Sequence, residues 1–120
     1  MKCTGVFLAD VDGLDMADGW CDQLVRGRLV LGGVTEQVRF TVWLKRERDS
    51  EQTAQFVLSA DGGGREAFAV PFEEPTTLTL RRSLNRGDEL SFRLFCNHLV
   101  GEVGDDRRQL SFVLHEISAP

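Results

Sequence analysis

The chain has 120 residues, of which 42% are hydrophobic and 28% are charged, and its formal net charge is −5 at pH 7. These proportions are typical of one folded globular domain and exclude an intrinsically disordered chain. The negative charge excludes a general nucleic-acid binder, because non-specific binding to phosphates requires a basic surface. No apolar run reaches the roughly 20 residues of a transmembrane helix, so we expect no membrane partner.

The amino terminus and the cysteines together predict a cytoplasmic protein. The first residues, MKCTGVFLADVDG, lack the apolar region and the small-residue cleavage site of a secretory signal. Cys3, Cys21 and Cys96 are odd in number and share no CxxC spacing, which argues against a disulfide scaffold and a zinc site. A reducing compartment is the simplest expectation.

Residues 2–9 are apolar and β-branched enough to predict a first strand. An acidic segment, residues 10–22, follows and is predicted to be mostly loop. Its carboxylates suggest a calcium-binding loop. However, the spacing of the acids and the glycine does not match the EF-hand pattern, and no glutamate stands at the position of the last, bidentate ligand. A solvated acidic loop is the favoured interpretation, and cation binding by residues 10–22 stays open. The acids are Asp10, Asp12, Asp15, Asp18 and Asp22.

Residues 24–44 give the clearest structural pattern, which predicts two strands folded about Gly32-Gly33. A two-residue diglycine loop suits a tight hairpin turn, because both positions tolerate positive φ. In that register the apolar residues of both strands fall on one face, with Gly27 opposite Val38. The inward set of the second strand is Val38, Phe40, Val42 and Leu44.

The rest of the chain continues in strands separated by turns. Alternation predicts strands over residues 53–60, 66–72, 76–82, 90–100 and 109–117, with turns at residues 61–64 and around 104–106. Asn85-Arg86-Gly87 predicts a hairpin loop that sets Leu80 opposite Phe92. With about eight strands and no convincing helix, we predict an all-β, single-domain antiparallel sandwich or barrel, meander-like, over residues 1–120.

The outward face of the predicted hairpin is its unusual surface. The register sets Arg26 opposite Arg39, adds Arg28 beside them, and places Trp43 further along the same face. Arginine and tryptophan are enriched at binding hot spots, so these four residues form the predicted partner-binding patch. Two alternatives remain: the arginines pair with acids on a neighbouring strand or loop, or a second layer covers this face.

The favoured function is a small non-enzymatic protein-interaction module. It would bind a protein partner, in the manner of an inhibitor or immunity protein. Alternatively, it would assemble into a homo-oligomer in which the acidic loop of one subunit contacts the arginine patch of the next. The alternative is a ligand-binding or catalytic β-barrel with Cys96, His98 and Glu116 at a cavity mouth. Cys96 and His98 are two apart on one strand, roughly 6.5–7 Å, which is too far for a direct hydrogen bond. We therefore expect no catalytic residue and no cofactor.

Overall fold

The computed structural model describes residues 1–47, 52–103 and 106–120, and within these ranges the chain forms eleven β-strands. The all-β prediction is confirmed. The strands are β1 (Lys2–Thr4), β2 (Val6–Leu14), β3 (Trp20–Leu31), β4 (Thr35–Trp43), β5 (Thr53–Ala60), β6 (Arg65–Pro71), β7 (Thr76–Leu84), β8 (Glu89–Cys96), β9 (Gly101–Val103), β10 (Asp106–Leu110) and β11 (Phe112–Ser118).

Nine strands form one folded sheet in the order β6–β5–β8–β3–β11–β4–β7, in which β2 also pairs with β3 and β1 with β11. All of these pairs are antiparallel except β1 with β11. The sheet folds where β3 meets β11 through two residue pairs, Cys21 with Phe112 and Trp20 with Val113. We call β2, β3, β8, β5 and β6 layer A, and β1, β11, β4 and β7 layer B. The strands β9 and β10 form a separate two-stranded ribbon.

The core lies between the two layers. Phe40 of layer B contacts Phe92 of layer A with ring centroids 5.0 Å apart, and Phe56 contacts Phe112 at 4.9 Å. Burial of each such side chain stabilises the fold by roughly 1.5–3 kcal/mol. Other fully buried residues of the core are Val25, Leu29, Leu58, Leu94, Val38, Val42, Leu78 and Leu114.

The diglycine hairpin prediction is wrong. The strand β3 pairs with β2 and β8, whereas β4 pairs with β7 and β11, so the two strands do not pair with each other. Gly27 faces Phe92 and Val11 rather than Val38. The apolar faces of β3 and β4 meet across the core instead of lying side by side. Residues 32–34 therefore carry the chain from layer A to layer B.

The predicted hairpin between β7 and β8 is wrong for the same reason. Leu80 pairs with Val38 of β4 rather than with Phe92, because β7 belongs to layer B and β8 to layer A. Gly87 does take the predicted left-handed conformation, with φ of 86°. The turn at residues 61–64 joins β5 and β6 as a sequential hairpin, as predicted, with Ser59 opposite Arg65.

The acidic segment is more ordered than predicted. The strand β2 continues to Leu14, so Asp10 and Asp12 lie within a strand and only residues 15–19 form the loop. Two register shifts in β2, between Leu8 and Asp10 and between Asp12 and Leu14, break the alternation that would have revealed it.

The last third of the chain also departs from its predicted strand boundaries. The strand predicted for 90–100 ends at Cys96, and the one predicted for 109–117 is divided between β10 and β11. Residues 104 and 105 of the predicted turn lie outside the described residues. In the part of the chain that is described, no helix has the length and apolar character needed to cross a membrane.

Gly27 is a site where the packing between the layers can be tested. A Cβ atom there would lie 2.6 Å from Cε1 of Phe92 and 3.2 Å from the carbonyl oxygen of Asp10. We expect Gly27→Ala to lower the free energy of unfolding by about 1–3 kcal/mol, the usual cost of overpacking a core. Urea denaturation measures this change.

Gly33→Ala is the matched control, because no atom lies within 4 Å of a Cβ at that position. It should change the free energy of unfolding by less than about 1 kcal/mol. Equal effects of the two substitutions would contradict the assignment of Gly27 to the space under the Phe92 ring.

Candidate functional site

The outer face of layer A carries a groove of about 780 Å³. It is built from side chains of β2, β3, β8 and β5 that alternate with core residues and therefore point away from layer B. In β8, for example, Ser91, Arg93 and Phe95 are exposed while Leu90 and Phe92 are buried. The polar lining includes Asp10, Asp12, Arg26, Arg28, Ser91 and Arg93.

Two arginines face each other across the floor of the groove. Arg26 of β3 is the register partner of Arg93 of β8, and directly opposed side chains have Cβ atoms roughly 4.5–5.5 Å apart. Among the described residues, neither guanidinium has a carboxylate within ion-pair distance, although Asp12 is the register partner of Arg26 on its other side. We call Arg26 and Arg93 the arginine pair. Opposed like charges destabilise a sheet, so the pair is an unusual feature of this face.

Arg28 lies two residues after Arg26 on the same face of β3, and two acids neutralise its charge. The Asp10 carboxylate accepts hydrogen bonds from Nε of Arg28 at 3.0 Å and from Nη2 at 2.7 Å, and Glu89 accepts from Nη1 at 2.5 Å. The hydrogen bond with Asp10, followed by the charge of Glu89, raises the pKa of Arg28. The expectation that the arginines pair with neighbouring acids is thus confirmed for Arg28.

The predicted patch does not exist as one surface. Arg39 lies on β4, between Thr79 of β7 and Ser118 of β11, and Trp43 is the register partner of Val113. Because the core separates the layers, Arg39 and Trp43 face outward from layer B, on the opposite side of the molecule from Arg26 and Arg28. The physical reason is the crossing of residues 32–34 between layers.

Arg93 is the residue that the sequence prediction missed. In β8, Leu90, Phe92 and Leu94 are buried, and Arg93 lies between them on the outward face. Nothing in the sequence indicated that β8 would pair with β3, which is 67 residues away when counted from Arg26 to Arg93.

An apolar row runs beside the arginine pair. Phe95, which is 41% exposed, follows two residues after Arg93 on the same face of β8. Its register partners are Leu24 on β3 and Val57 on β5, and both are partly exposed. The outer face of layer A therefore has a charged row in the groove and an apolar row just beyond the groove lining, roughly 6.5–7 Å apart along the strands.

The acidic loop has a local structural role. Asp15 accepts a hydrogen bond from the backbone N–H of Ala17 at 2.9 Å, and Asp18 accepts from that of Trp20 at 3.0 Å. Such bonds are typical of aspartates that shape turns. Within the described residues, no group of three or more histidines, cysteines and acids is placed to hold a metal ion.

Cys96, His98 and Glu116 do not converge. The Cys96 side chain is fully buried, and burial raises the pKa of its thiol, which disfavours the thiolate that a nucleophile requires. Nε2 of His98 lies 3.1 Å from the carbonyl oxygen of Lys45, to which it donates, and the ring packs edge-on against Phe72. Glu116 lies in layer B, where its carboxylate accepts from Thr4.

Comparison with known proteins identifies no family. No family model matches the chain, and neither does any curated protein sequence. Among solved structures, the chain is similar to TmCBM61, determined in complex with β-1,4-galactotriose, at 12% sequence identity and a TM-score of 0.42. The similarity covers 93% of this chain and 83% of the other. A similarity this low gives no argument for a shared ligand.

The buried thiols predict how stability depends on pH. Burial raises the pKa of both Cys21 and Cys96 above the ordinary value of 9.0, to which they return on unfolding. The contribution of these thiols to the free energy of unfolding is fully present below pH 9. It is lost as the pH rises toward the pKa of each thiol in the folded state. Above pH 9 we expect the free energy of unfolding to fall as the thiols ionise in the unfolded state, by at most about 1.4 kcal/mol per pH unit for each thiol.

Urea denaturation between pH 8 and pH 10 measures this slope. The double variant Cys21→Ala, Cys96→Ala is the control, and it should show a flatter decline than the wild-type chain. Identical slopes would mean that these thiols ionise as readily in the folded state as in the unfolded one.

Proposed function

We propose that this protein is a non-enzymatic protein-interaction module that binds its partner in the groove on the outer face of layer A. The single observation that carries the proposal is the arginine pair on the groove floor. Opposed like charges lower the stability of the free protein, and they are tolerated at functional sites where a ligand supplies the missing charge.

The dimensions and chemistry of the groove support this proposal. Its volume of about 780 Å³ lies within the roughly 300–1,000 Å³ of ligand sites, and the groove combines apolar surface with a few fixed polar groups. Arginine is also among the residues most enriched at binding hot spots. In this proposal Arg26 and Arg93 contact the partner, whereas Arg28 is held by Asp10 and Glu89 and supports the face.

A heterologous partner fits this surface better than a second copy. In an isologous dimer the same patch lies on both subunits around the two-fold axis. Such a dimer through the groove would bring two arginine pairs together and add repulsion between them. Binding a different protein in the cytoplasm, as in the inhibitor or immunity class, avoids this repulsion.

Photo-crosslinking tests which face binds. A small diazirine side chain in place of Leu24, beside the groove on the outer face of layer A, should capture a specific protein from native lysate. The same group in place of Thr79, on the outer face of layer B, should not capture it. The purified partner should then bind at least about tenfold more weakly to Ser91→Trp, because the indole fills the groove. A tenfold change corresponds to about 1.4 kcal/mol of binding free energy.

Thr79→Trp is the matched control and should bind the partner as the wild-type chain does. Circular dichroism of both variants checks that the fold is retained. Equal capture from the two faces, no capture through position 24, or unchanged binding by Ser91→Trp would each contradict the proposal.

A further inference from the structure

We propose that the groove binds an extended segment of the partner that seats one carboxylate side chain between Arg26 and Arg93. An apolar side chain two residues away in the segment lies on Phe95. This inference rests on the proposed function, because it names the chemistry recognised by the same groove. It follows from the arginine pair, the charges around it and the spacing of the two rows.

The arginine pair is built to hold a planar anion. A guanidinium presents its donors as a rigid fork that matches the two oxygens of a carboxylate. Arg26 and Arg93 are register partners on central strands of layer A, so their backbones are fixed from both sides. A carboxylate between them would relieve the repulsion of the free protein and accept donors from both forks.

The surrounding charge favours a carboxylate over a phosphate. The groove contains three guanidinium groups and three carboxylates, so its own charge sums to zero, and the whole chain carries −5. A phosphorylated side chain adds about −1.5 to −2 at pH 7 and would leave the site with surplus negative charge. A single carboxylate requires less compensation. The carboxylates are Asp10, Asp12 and Asp61.

The spacing of the rows indicates how the segment lies. Arg93 and Phe95 are two residues apart on β8, roughly 6.5–7 Å, which is also the distance between side chains i and i+2 of an extended peptide. A segment that runs along β8 can therefore place an acidic residue on the arginine pair and an apolar residue on Phe95. Leu24 and Val57 flank Phe95 and widen the apolar row.

Selection from a displayed library of random twelve-residue peptides tests this inference directly. Peptides selected on the full chain should be enriched in an Asp or Glu with a large apolar residue two positions before or after it. The best peptide, made synthetically with a fluorescent label, is then measured by fluorescence polarisation. Replacement of its acid by the matching amide should weaken binding about tenfold or more, as expected for a charge-assisted contact.

Variants of the chain give the reciprocal measurement. Arg26→Gln and Arg93→Gln should each weaken peptide binding about tenfold or more, and Phe95→Ser should weaken it severalfold. Arg39→Gln, on the opposite outer face, is the matched control and should bind within about twofold of the wild-type chain. The melting temperature of Arg93→Gln should not fall, because this substitution removes one of two opposed like charges, whereas Arg26→Gln also removes the positive charge opposite Asp12.

The outcomes separate this inference from the proposed function. Loss of partner binding in Ser91→Trp together with unchanged binding in Arg26→Gln and Arg93→Gln would overturn the carboxylate site and leave the groove as the binding surface. Selected peptides without an acidic residue, or no enrichment at all, would also overturn it. Unchanged binding by Ser91→Trp overturns both.

Discussion

The contact between Phe40 and Phe92 determines how the rest of the molecule is arranged. The two rings, 5.0 Å apart, join layer B to layer A, and Phe92 fits where Gly27 has no side chain. Because this contact joins the inward faces of β4 and β8, the neighbouring residues of each strand must point outward on opposite sides. Arg93 therefore faces out of layer A and Arg39 faces out of layer B.

This arrangement produces a face with two kinds of charge. Arg28 is saturated by Asp10 and Glu89, whereas the arginine pair has no acid within ion-pair distance among the described residues. Arg28 with its two acids stabilises the local structure, whereas the repulsion between Arg26 and Arg93 leaves electrostatic free energy that a ligand can recover. The proposed binding site follows from that contrast.

The sequence indicates strands well and their partners poorly. Alternation predicts β5 at its observed bounds and identifies the inward residues of β4, because a half-buried strand requires a period of two. The same pattern arises whether two apolar faces lie side by side or pack across a core, so Gly32-Gly33 gave no means to distinguish a hairpin from a crossing. Arg26 was therefore assigned the wrong neighbour, and Arg93 was missed. In β2, two register shifts interrupt the alternation of inward and outward residues, so the sequence pattern did not reveal the second half of this strand.

The pairing of β3 with β8 creates the arginine pair, and both the fold and the binding site depend on it. Cross-strand nuclear Overhauser effects between backbone protons measure this pairing in solution. We expect them between Arg26 and Arg93 and between Gly27 and Phe92, with none between Gly27 and Val38. Effects that join Gly27 to Val38 and Val25 to Phe40 would show that β3 and β4 form a hairpin, and would contradict both the fold and the site described above.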